Sequence, residues 1–206
     1  MPQLEQSWVR AWHGCGALTE GDDIRCSLLA CYGEPHRKYH TIQHLTECLN
    51  AFENVQTLPQ RPSEVEAALW FHDAIYDVKR SDNELRSAEW AKEALASAGA
   101  TPDTADRVFS LIMATRHDAV PTDLDAQVLV DIDLSILGAP GARFAEYDEQ
   151  IRREYSFVPL WLFRRKRRAI LRAFLERPYI YSTSHFRSAL EQQAKENLAR
   201  AIGGAV

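Results

Sequence analysis

Four short stretches of this sequence carry side chains that could do chemistry. The first, RKYHTIQH, holds His40 and His44, four residues apart. That spacing predicts a shared side of one helix. An apolar stripe of Ile42, Leu45, Leu49 and Phe52 occupies a different side, so the two histidines face something other than the core. An exposed pair and a metal site fit the spacing equally well. The second stretch, ALWFHDAIYD, sets His72 and Asp73 side by side in an apolar helix with Val65, Ala68, Leu69, Phe71 and Ile75. A carboxylate kept from water needs a cation or several donors. A divalent metal satisfies both residues at once, and imidazole with carboxylate suits manganese, iron, zinc, nickel or magnesium. On its own an HD dipeptide reads as a buried histidine beside a surface aspartate.

The third stretch, VLVDIDLSIL, places Asp131 and Asp133 in an apolar run. They lie about 200° apart on a helix, so only one faces the core. The fourth, MATRHD, puts His117 at a helix end beside Arg116.

The ordered set H…HD…D resembles the HD superfamily of metal-dependent phosphohydrolases. YHTIQH is similar to the Y-H-x-x-x-H of class I cyclic-nucleotide phosphodiesterases. IDLS falls on their A-D-L-S, which selects Asp133 over Asp131. HDAIYD resembles the H-D-x-x-E-D of alarmone hydrolases, with Tyr76 in place of the glutamate. RKYHTIQH, WFHDAIYD, NELRSAEWA, DIDLSILG, YDEQIRREYSFV and EQQAKENLAR together look like a small bacterial branch of about this length, so the likeness covers nearly the whole chain.

The resemblance implies a ligand set of His44, His72, Asp73 and Asp133. It makes His40 the acid for the leaving oxygen and Asp77 the group that orients the attacking water. One tightly held metal is expected, with room for a second, weaker one bridged by Asp73. Glu84 and Ser87 are expected at the mouth of the site. Arg37, Lys38 and Arg116 are the candidates for holding a phosphate, an arginine bidentately, and Glu84 and His117 are expected with them among the substrate-binding residues. The implied activity is cleavage of a phosphate ester or anhydride, of a nucleotide by preference. The rival is a metal- and nucleotide-binding HD signalling module with little turnover.

The elements that must position these residues are all helices. Helical periodicity runs from end to end, with no alternating stretch and no repeat. Helices are expected at about 4–13, 22–32, 41–58, 63–77, 82–98, 102–115, 125–137, 142–156, 159–177 and 183–201. Ser63 and Glu66 read as a capping box. Ser81-Asp82-Asn83 and Thr101-Pro102 read as helix starts, the latter with proline at the first helical position. The expected fold is an all-α, single-domain HD-type bundle of nine or ten helices spanning 1–206. The run RRKRR, 164–168, reads first as a solvated helix face, with a phosphate-facing arginine among the five as the alternative. Cys48 reads as a small buried hydrophobe, and the tryptophans as packing.

Composition agrees with a globular protein: 206 residues, 46% hydrophobic and 26% charged. Such a chain buries about 70% of its unfolded surface and needs no staples. Its 24 basic and 29 acidic residues sum to −5, which argues against stable nucleic-acid binding. The four cysteines form no CxxC pair, so a zinc knuckle is not expected. There is no basic-then-apolar leader and no run of 18 apolar residues, so no membrane partner is expected and a cytoplasmic location is.

Overall fold

The computed structural model describes residues 2–204, and these form ten α-helices, one 3-10 helix and no strand. The helices are α1 (Pro2–Gly14), α2 (Asp22–Tyr32), α3 (Ile42–Glu53), α4 (Pro62–Phe71), α5 (Asn83–Ser97), α6 (Pro102–Ala114), α7 (Leu124–Asp133), α8 (Gly141–Glu154), α9 (Leu160–Leu175) and α10 (Ser184–Gly203). The 3-10 helix, Leu134–Gly138, continues α7. The all-α expectation holds.

Helix α4 is the axis of the bundle. It packs against α1, α3, α5, α6 and α7, and every residue from Glu64 to Phe71 is buried. A helix apolar all round can be stable only inside a layer of others. On one flank Trp8 stacks on Trp12 with ring centres 4.7 Å apart, and Trp8 meets Trp70 edge-on at 5.3 Å. The two glutamates inside this helix are neutralised locally. Glu66 accepts from Ser7 Oγ at 2.7 Å and Arg10 Nε at 2.8 Å. Glu64 takes a two-pronged pair from Arg107.

Several ends differ from the sequence expectation. Ser63 and Glu66 form no capping box: α4 starts at Pro62, and Glu66 turns inward to Arg10. The same helix stops at Phe71, six residues short of 77. Its onward hydrogen bonds are replaced by outside partners: Arg37 donates to the carbonyls of Asp73 and Ala74, and Ser87 Oγ accepts from Ile75 N–H. His72 and Asp73 therefore sit at a helix end, not within a helix. Helix α3 starts at Ile42, with Thr41 Oγ1 accepting from Gln43 N–H, so His40 lies ahead of it. Asp82 precedes α5 without capping it and pairs with Arg80 instead. Thr101 does cap α6, accepting from Thr104 N–H, with Pro102 as its first residue. Gly99 ends α5 with φ +98°, a left-handed conformation that glycine adopts without a Cβ clash.

The C-terminal helix is tied to α7 by one buried carboxylate. Asp131 accepts from Ser182 N–H, Thr183 N–H and Thr183 Oγ1, each at 2.7 Å. Thr183 is itself the N-cap of α10. Asp131→Ala leaves two buried N–H groups without partners, which should cost about 2–4 kcal/mol. The check is a denaturant midpoint together with metal content: the expected variant is less stable but still loads metal.

A candidate metal centre

Four imidazole and carboxylate groups from three elements meet at the centre of the bundle. His44 projects from the first turn of α3, His72 and Asp73 follow the end of α4, and Asp133 is the last residue of α7. The Nε2 atoms of His44 and His72 are 3.1 Å apart. Asp73 Oδ2 lies 3.3 Å from the first and 3.1 Å from the second. Asp133 Oδ1 lies 3.3 Å and 3.6 Å from the same two nitrogens. Ligand atoms about 2.1 Å from one ion are separated by about 3.0 Å in an octahedron and about 3.4 Å in a tetrahedron. Four of the five spacings fall in that range, and the fifth, His72 to Asp133, is slightly longer at 3.6 Å.

The thiol of Cys48, one turn along α3, joins the group. His44, Cys48, His72 and Asp133 form a buried cluster whose donor atoms all lie within 4.8 Å of one another, a set able to hold a metal ion. The sequence reading of Cys48 as packing alone missed this. Its Sγ is equidistant, at 3.7 Å, from both ring nitrogens of His44. That position is off the lone-pair direction of either nitrogen, whereas Asp73 Oδ2 is closer to both histidines.

The surrounding chain fixes how these groups face. His72 Nδ1–H donates to Leu69 O at 2.8 Å, which leaves the Nε2 lone pair for the cluster. His117, the one non-glycine residue with positive φ (57°) among the described residues, places Nε2 3.0 Å from Asp133 Oδ2. It therefore supports the far oxygen of Asp133, where the sequence places it among the substrate-binding residues.

Electrostatics favour charge in this apolar centre. Burial opposes the protonation of both histidines. For His44 that penalty is outweighed by Cys48, Tyr39, Asp133 and Asp73, and its pKa stands well above the usual imidazole value. For His72 the neighbours Asp73, Tyr32 and Asp133 have the same effect. Burial likewise opposes ionisation of Asp73 and Asp133, yet the histidines hold both well below the normal carboxylate range. A metal ion bound here replaces protons on the histidines.

A second set of contacts surrounds His40. Glu154, at the end of α8, accepts from the backbone N–H groups of Lys38, Tyr39 and His40 through Oε1. Its Oε2 accepts from His40 Nδ1–H and Tyr76 O–H, both at 2.8 Å. His40 stacks on Tyr76 with ring centres 4.0 Å apart. Burial pushes the Glu154 carboxyl up. The His40 contact and the backbone donors overcome this and bring it down to about 2. Phe144, Tyr147, Ile151 and Glu154 follow a 3, 4, 3 spacing in the sequence, so a glutamate in a core register was the signal for it.

The remaining candidates do not reach the cluster. The Arg37 guanidinium is fully buried and committed to Glu34, Asp73 O and Ala74 O, between the rings of Tyr32 and Tyr76. It braces the HD turn and has no fork free for a phosphate. Lys38 Nζ donates to Pro35 O, and exposed Arg116 pairs with Asp118. Asp77 accepts from Lys79 N–H within its own loop and is tied to Asn83. Glu84 lies in the first turn of α5, beside Tyr155, and Ser87 is spent on Ile75.

A cavity of about 230 Å³ opens onto the cluster, bounded by Tyr39, His44, Cys48, Asp133, Ser135 and Arg143. Arg143 is held two-pronged by Glu47 at 2.7 and 2.8 Å. The arrangement is compatible with an HD-type metal site. Comparisons with protein-family models, with curated proteins and with solved structures return no match to this chain.

Two measurements test this centre. Because protons compete for His44 and His72, metal occupancy should fall as pH falls; dialysis over a pH series followed by elemental analysis reads it. Glu154 gives the second. Its native carboxyl titrates near 2 against an ordinary 4.5, so its contribution is whole above about pH 4.5 and is lost as pH falls toward 2. At neutral pH Glu154→Gln should cost about 3 kcal/mol. The gap to wild type should close in acid denaturation profiles.

Proposed function

We propose that this protein is a metal-dependent phosphohydrolase of HD type, cleaving a phosphate ester or anhydride, a nucleotide by preference. The observation that carries the reading is the set of ligand-like spacings among His44, His72, Asp73 and Asp133. It adds to the sequence resemblance on the same four positions. In this reading those residues hold one divalent ion, with Cys48 as a neighbour of His44. A bound divalent ion supplies a low-pKa water and polarises a phosphoryl oxygen.

The chain's own groups do the rest. His40 protonates the leaving oxygen from Nε2, because Glu154 occupies Nδ1. Glu154 and the Tyr76 ring hold that imidazole in one orientation. His117 keeps Asp133 turned so that Oδ1 faces the histidines. The cavity beside Tyr39 and Ser135 admits the phosphoryl group.

Two variants separate ligand from acid. Protein purified without chelator should carry about one equivalent of a transition metal, and His72→Ala should lose both metal and turnover. His40→Ala should keep the metal and slow nucleotide hydrolysis by roughly 10²–10⁴-fold. The loss should shrink on a nitrophenyl ester, whose leaving group needs little protonation. Retained metal without hydrolysis of any nucleotide or nitrophenyl ester, in excess manganese, would refute the hydrolase and leave a metal-holding module.

A further inference from the structure

Away from the metal centre, a cleft of about 500 Å³ lies between α8, α9 and the end of α10. Arg164, Arg167 and Arg200 line it, and Leu160, Phe163 and Leu171 form its apolar part. The charge of the chain is concentrated here. The molecule sums to −5, yet α9 carries five arginines and one lysine and no acidic residue.

Three arginines of the cleft, Arg164, Arg167 and Arg200, have donors to spare. Arg167 is only 13% exposed and donates to Asp148 through Nε at 3.1 Å. Its guanidinium lies over the Tyr147 ring at 4.9 Å, and its buried Nη2 has no hydrogen-bond partner. A buried donor left unmade costs about 1–3 kcal/mol. Arg164 and Arg200 pair with no carboxylate among the described residues. Arg152, at the edge, is already spent on the carbonyls of Tyr155 and Val158. Arg164, Arg167 and Arg200, on two helices, thus converge on one opening whose acidic lining is Asp148 and Glu149, the latter already paired with Arg153.

We propose that this cleft binds an organic di- or triphosphate. Phosphoryl oxygens fit guanidinium forks bidentately and supply several acceptors to a buried N–H. One phosphate fills one fork, whereas arginines on both α9 and α10 match a chain of two or more. The apolar part takes the organic portion, and the volume lies within the usual range for small-molecule sites. None of the proposed metal ligands lines this cleft. Tyr147 stands between them, 4.6 Å from the Tyr39 ring on one side and 4.9 Å from Arg167 on the other. The proposal does not depend on the hydrolase reading.

The test is titration calorimetry of the full chain with ADP, with adenosine as the control. It uses wild type, Asp133→Asn and the double variant Arg164→Ala/Arg200→Ala. Both arginines are exposed, so the double variant should melt like wild type. The expected result is saturable ADP binding in wild type and in Asp133→Asn, at least tenfold weaker in the double variant, with no adenosine binding. Binding that Asp133→Asn abolishes and the double variant keeps would overturn the proposal and place ADP at the metal centre. Absence of saturable ADP binding in wild type, or equal binding of adenosine, would overturn it outright. Failure of the hydrolase reading would instead appear as no turnover with the ADP isotherm intact.

Discussion

Two imidazoles and two carboxylates share one small volume inside an apolar bundle, and the architecture is organised around that constraint. A lone buried ion is expensive, and a pair is tolerated only when its geometry is good and its remaining valences are met. Three members of the quartet come with their own support. His72 is fixed by Leu69 O, Asp133 by His117, and the turn bearing Asp73 by Arg37. The apolar mass of α4 supplies the dry surroundings that make these contacts strong.

Two of the supports share a pattern: a charged side chain holds backbone. Arg37 grips the carbonyls of Asp73 and Ala74, and Glu154 collects three successive N–H groups from Lys38 to His40. Such bonds set where the main chain runs, and the geometry of the cluster follows from it. They also account for the irregular backbone on both sides of the centre. Residues 38–40 and 73–75 are not helical because a buried ion on another element supplies the bonds that a helix would have used.

This explains what could be read in the sequence and what could not. The helices were legible because each leaves a local mark, a 3–4 spacing, and polar pairs in apolar runs marked His72–Asp73 and Asp131–Asp133 as groups needing a partner; the gathering of His44, His72, Asp73 and Asp133 into one set came from resemblance. The choice of Asp133 over Asp131 came from resemblance, and the geometry supports it, since Asp131 turns to α10. The early end of α4 was not legible, because the residues that cause it, Arg37 and Ser87, lie 35 residues before and 15 after. Arg37 looked like a phosphate binder for the same reason: a sequence does not say that a guanidinium is already engaged. Glu154 is the instructive omission. It stood in a visible apolar stripe, and a glutamate in that register needed a partner.

The link between Asp131 and the start of α10 bears on how the protein is made. Asp131 and Asp133 are two residues apart on α7, and one faces the last helix while the other faces the metal centre. A nascent chain of about 140 residues already contains His44, His72, Asp73 and Asp133. Until Ser182 and Thr183 leave the ribosome, the carboxylate of Asp131 has no anchor, and until Glu154 does, the backbone at His40 has none. The backbone at His40 is therefore fixed only by a residue made after all four ligand positions. Between those two points the chain holds all four side chains without the contact that orders the backbone beside them.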